Sequence, residues 1–156
     1  MINQVKIYKK SIFPKIMIKY DCHVHLGGIF TASTLASVSE QDTLTTLERL
    51  NRTPTNWADF EHYFKLINRA LPTLEKRMQA LEIELKNCPL DMINLQFNPF
   101  GGKIDPRITI SAIRAVICKI SSPYVELTVS PPRRYFLPGY RPTIRRDLQQ
   151  LIDIGG

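Results

Sequence analysis

Strand-like and helix-like stretches alternate along this chain, and that alternation most narrows the folds open to it. Ile16–Leu26 (IMIKYDCHVHL) ends in an alternating run bounded by Gly27-Gly28 and reads as a strand with a glycine exit. Thr31–Val38 and Asp42–Leu50 read as short helices, with Pro54 in the turn after them. Asn56 is placed to cap a helix over Trp57–Leu71, where Trp57, Phe60, Phe64, Ile67 and Leu71 recur at helical spacing. Pro72 stops that helix and Thr73 caps the next, whose apolar face is Leu74, Met78, Leu81 and Leu85, ending at Cys88-Pro89. Asp91–Phe97 is a second strand, closed by Asn98-Pro99 and Gly101-Gly102. Pro106 suits the first turn of a third long helix, with Ile113, Val116, Ile117 and Ile120 as its buried stripe. Tyr124–Val129 is a third strand, ended by Pro131-Pro132. Thr143 can cap a helix through Gln150, and Leu151–Ile154 begins a fourth strand before Gly155-Gly156.

Strands separated by helices form parallel sheets, because a parallel return needs a crossover long enough to hold a helix. The expected class is therefore α/β. A complete (β/α)8 barrel takes about 250 residues and eight strands; 156 residues with about four parallel strands and intervening helices correspond to its N-terminal half. On this reading residues 16–156 are a partial barrel domain and residues 1–15 a basic N-terminal segment.

The net charge of +7 gathers at the two ends. Residues 1–20 carry five Lys and no acid, whereas residues 21–102 carry more acid than base. No aromatic residues interleave with the basic ones as a stacking platform would require, so a solvated surface is expected rather than a nucleic-acid partner. Three widely spaced cysteines, Cys22, Cys88 and Cys118, fit neither a disulfide framework nor a paired CxxC zinc site, which favours a reducing compartment. No apolar run approaches the ~20 residues that span a bilayer. Lys15 and Pro14 break what would be the apolar centre of a leader. A cytoplasmic location without membrane partners is the expectation.

The segment with most chemistry is Asp21-Cys22-His23-Val24-His25-Leu26. In a regular strand, alternate residues share a face, so Asp21, His23 and His25 are expected to point one way and Cys22, Val24 and Leu26 the other. Two imidazoles side by side at the carboxyl end of a barrel strand make half of a metal site, and zinc suits neutral imidazole.

The stretch KYDCHVHLGGIFTASTLASV resembles the opening of the adenosine deaminase family of metal-dependent hydrolases, whose first strand carries HxHLDG or HxHLEG. Trp57-Ala58-Asp59-Phe60 with Phe64 is similar to the family's aromatic helix. Met78 through Pro99 resembles its long helix and second strand, and Ile152-Asp153-Ile154-Gly155-Gly156 its fourth-strand motif. The resemblance implies a hydrolase of purine metabolism that releases ammonia from adenosine or a related aminopurine. His23 and His25 would be zinc ligands. Phe60 and Phe64 would cover the substrate, and Gly156 would set a backbone N–H against the purine.

Departures from the family pattern are equally specific. Gly27 stands where the family has an acidic residue. The family site also needs a third His, an Asp, and a Glu beside a further His, all beyond the fourth strand. The only other histidine here is His62, read as part of a solvated helix face. No catalytic residue is therefore expected within this chain, and its zinc site is expected to be incomplete. The expected partner is a completing half, either a missing C-terminal portion or a second copy. The alternative reading is a non-enzymatic remnant or an interaction module with a basic surface.

Overall fold

The computed structural model of the chain describes residues 18–39, 55–98, 104–130 and 149. The described part is mixed α/β: three strands, β1 (Tyr20–His25), β2 (Met92–Phe97) and β3 (Tyr124–Val129), in one parallel sheet of order β1-β2-β3. Four helices accompany them: α1 (Ala32–Val38), α2 (Trp57–Ala70), α3 (Leu74–Lys86) and α4 (Pro106–Ile117). No helix among the described residues is long and apolar enough to cross a membrane. The expected helices at Asp42–Leu50 and Thr143–Gln150, the fourth strand at Leu151–Ile154 and the basic segment 1–15 lie outside the described residues.

Each helix begins where a side chain can take up an orphan N–H of its first turn. Thr31 Oγ1 accepts from the Thr34 N–H at 3.3 Å, Asn56 Oδ1 from Asp59 at 3.0 Å and Thr73 Oγ1 from Lys76 at 3.2 Å. At α4 the cap is Asp105, whose Oδ1 accepts from the Arg107 N–H at 2.8 Å, with Pro106 at the position where a missing N–H costs nothing. The Arg107 guanidinium also meets the Asp105 carboxylate at 2.7 Å. That contact holds the Asp105 carboxyl below its ordinary range.

The sheet has two unlike faces, and its register shows why. Ile93 and Leu95 of β2 are fully buried and join Leu81 and Leu85 of α3 and Ile113 and Val116 of α4 in one core. Val125 and Leu127 of β3 and Val24 of β1 pack against the same core. The alternate residues Asn94 and Gln96 pair with Glu126 and Thr128 of β3, forming a polar row that is exposed or half-buried.

β1 departs from regular alternation. Asp21 pairs with Ile93 and Val24 with Leu95, so three steps on β1 match two on β2. One extra residue sits between them as a β-bulge. This corrects the expectation that Asp21 shares a face with the histidines. Asp21 falls on the helix side, in a cavity also lined by Val24, Leu90 and Ile93, whereas His25 pairs with Gln96 on the polar side. Asp21 Oδ1 instead accepts from the His23 N–H at 3.1 Å, inside the bulge.

Candidate functional site

Two residues apart at the end of β1, His23 and His25 bring their imidazoles to one place. His23 Nε2 and His25 Nε2 stand 3.0 Å apart, with the rings at 87° to one another. Both side chains are exposed. A tetrahedral zinc with Zn–N bonds of about 2.0–2.1 Å sets two ligand nitrogens about 3.4 Å apart, so the observed pair is close to the spacing of two ligands on one ion.

His23 is also held from behind. Gln96 Nε2 lies 2.6 Å from His23 Nδ1, and the Ser130 hydroxyl donates to Gln96 Oε1 at 3.0 Å. With Gln96 donating, His23 Nδ1 accepts and the ring proton resides on Nε2, where it meets the lone pair of His25 Nε2. A chain of four side chains thus runs from the end of β3 across β2 to β1. It uses the polar face that the sheet register creates.

The histidines border an aromatic cleft. Phe60 and Phe64 of α2 stack edge to face with ring centroids 4.8 Å apart, and Trp57 continues the row at 5.4 Å from Phe60. Phe60 and Phe64, but not Trp57, line a cleft of about 380 Å³ with His25, Gln96, Asn98 and Arg77, within the range of small-molecule sites. Phe60 remains 40% exposed, so it is a wall of the cleft rather than core. The Phe64 ring closes against Gly27, leaving no room for a β-carbon there.

Of the five expected site residues, His25, Phe60 and Phe64 line this cleft, and His23 adjoins it through His25. The fifth, Gly156, lies outside the described residues. His62 is exposed on α2, as expected. Among the described residues no group of three His, Cys, Asp or Glu gathers as a metal site would need, so two imidazoles are what this part of the chain offers. The site also includes residues that sequence reasoning passed over: Gln96, Ser130, Arg77 and Asn98. Their signal was partial. The polar alternation of MINLQF marks Gln96 as facing away from the core, but which histidine it meets depends on strand register.

Arg77 is the least expected of these. Its Nε donates to the Leu71 carbonyl at 2.9 Å and its Nη2 to Asn68 Oδ1 at 2.9 Å, tying the start of α3 to the end of α2. Partial burial lowers its pKa. No carboxylate pairs with it among the described residues. Two turns further along α3, Glu84 is 9% exposed and its Oε1 accepts the Thr31 N–H, clasping α1 to α3. The Tyr63 phenol is raised by burial and, secondarily, by the Glu84 carboxylate.

No protein-family model matches the chain, and no curated protein matches it significantly.

Proposed function

We propose that this chain is the N-terminal portion of an adenosine deaminase-like zinc hydrolase acting on adenosine or a related aminopurine. The observation that carries the reading is the convergence of His23 Nε2 and His25 Nε2 at 3.0 Å beside a cleft walled by Phe60 and Phe64. The half-barrel reading draws support from three parallel strands in chain order. Their apolar face carries helices and their other face carries Asn94, Gln96, Glu126 and Thr128, as an inward barrel wall would.

In this reading His23 and His25 would hold zinc through Nε2, which requires the His23 ring proton to sit on Nδ1 in the zinc-bound form. A flip of the Gln96 amide would then set its oxygen to accept that Nδ1–H and turn its N–H₂ to the Ser130 hydroxyl, the role that outer partners of ligating imidazoles play. When bound, the metal would supply Lewis acidity for water activation near neutral pH. Phe60 and Phe64 would shield a planar purine from solvent. The further ligands and the proton-transfer groups would come from a segment or partner outside these residues.

The test is a zinc titration of the full chain by calorimetry. Weak, one-to-one binding that disappears in the His23→Ala, His25→Ala double variant is expected. Tight stoichiometric zinc retained by that variant would show that the metal, if any, belongs elsewhere.

A further inference from the structure

On the helix side of the sheet, away from the histidine pair, a second cavity of about 390 Å³ opens between β1, the start of α1 and the end of α3. Asp21, Glu84 and Asn87 line it with oxygen, and Val24, Leu90 and Ile93 line it with hydrocarbon. Glu84 is the decisive residue. It is 9% exposed, and among the described residues its one hydrogen bond is the Thr31 N–H on Oε1. A glutamine would clasp α1 through its amide oxygen just as well, so the clasp does not account for the charge. Oε2 meets no donor and no cation among the described residues. The ammonium groups of Lys86 and Lys119 both turn to Glu82 instead, at 2.6 and 3.8 Å. Burying a carboxylate without a counter-ion is costly unless the cation arrives with a ligand.

The surroundings of Glu84 also favour positive charge. Glu84 and Asn87 lie at the C-terminal turn of α3, the negative end of the helix dipole. Asp21, itself exposed, adds a second carboxylate to the lining. A bare metal ion would leave most of the space unfilled, since even a water takes only about 30 Å³, and the hydrocarbon part of the lining offers it no ligand. We infer that this cavity binds a short alkyl diamine, with one ammonium on Glu84 Oε2, the methylene chain against Val24, Leu90 and Ile93, and the second ammonium on Asp21. The assignment is independent of the zinc reading.

The test is calorimetry on the full chain with 1,4-diaminobutane, butylamine, 1,4-butanediol and calcium chloride. Butylamine should bind about ten- to a hundredfold more tightly than the neutral diol, and the diamine more tightly again. Glu84→Gln keeps the acceptor for Thr31 and should bring butylamine down to the level of the diol. Asp21→Asn, at an exposed position, should remove only the margin of the diamine over butylamine. Circular dichroism checks the fold of both variants; if Glu84→Gln does not fold, the amine–diol comparison and Asp21→Asn still decide. Amine binding that survives Glu84→Gln in a folded chain overturns the assignment, as does a diol that binds as tightly as the amines. Calcium bound in preference to the diamine overturns it in favour of a metal site. No binding of either amine by the folded parent overturns it outright, and leaves the zinc reading untouched.

Discussion

A β-carbon built on Gly27 would stand 2.7 Å from Phe64 Cε1 and 3.1 Å from Cδ1. The aromatic wall and the strand exit are thus in contact through the one residue type that permits it. Gly28, next in sequence, has nothing within 4 Å of the same position.

The first prediction uses that contrast. Gly27→Ala should displace the Phe64 ring and cost about 1–3 kcal/mol, as overpacking does, whereas Gly28→Ala should stay within about 0.5 kcal/mol of the parent. Urea unfolding measures both. Equal effects at the two positions would mean that Phe64 does not seat on Gly27.

Glu84 gives a second. Its buried carboxylate accepts the N–H of the exposed Thr31 in a part-buried hydrogen bond. Glu84→Ala should therefore cost about 0.5–1.5 kcal/mol, the usual net worth of one hydrogen bond. Glu84→Gln keeps an acceptor and should cost less. Chemical denaturation of both variants, read by far-ultraviolet circular dichroism, would rank them. The reverse order would argue that the Glu84 contact does not hold α1.

Acid should act through two surface carboxylates. Asp105 is lowered by its hydrogen bonds to Arg107, and Glu82 by its contact with Lys86 at 2.6 Å. A carboxyl lowered by folding adds stability that is fully present above its unfolded pKa, near pH 4. That contribution fades as pH drops through the lower folded value. Tm should accordingly fall as pH drops below about 4, and Asp105→Asn should show a shallower fall than the parent. A variant whose acid limb overlays that of the parent would remove Asp105 from this account.

A deaminase assay on the full chain with added zinc should show no turnover above background. Among the described residues no Asp or Glu lines the cleft, and its histidine, His25, is assigned to the metal in the proposed function; acid–base groups contribute roughly 10²–10⁴-fold. Robust ammonia release that is lost in His23→Ala would show that the chain carries a complete site.

Local signals in the sequence were dependable where the chain settles matters with its near neighbours. Asn56 and Thr73 cap as their positions suggest, and Tyr124–Val129 forms the strand its alternation predicts. The start of α4 is marked by Pro106 and equally by Asp105, since an Asp before such a proline is itself a start signal. The misplacement of Asp21 has a different origin. Strict alternation was assumed, and a bulge is visible only in the match between two strands some seventy residues apart. The Gly27–Phe64 contact and the Gln96–His23 bond are likewise tertiary. Periodicity assigns each residue a face but does not choose the partner that arrives there.

The hydrogen-exchange pattern should reflect the sheet order. β2 lies between β1 and β3 and contributes the buried Ile93 and Leu95, so its amides should exchange most slowly of the three strands. Faster exchange in β2 than in β3 would contradict the order β1-β2-β3.

The irregular step in β1 has a consequence for how this strand tolerates changes of length. The pairs on either side of it, Asp21 with Ile93 and Val24 with Leu95, would survive loss of the extra residue at Cys22, because three steps would become two. The histidines are anchored downstream by Gln96, so such a deletion would leave them in place. The strand ahead of the bulge is therefore uncoupled from the histidine pair. Sequences that differ from this one by a single residue there would carry the same two imidazoles on the same wall.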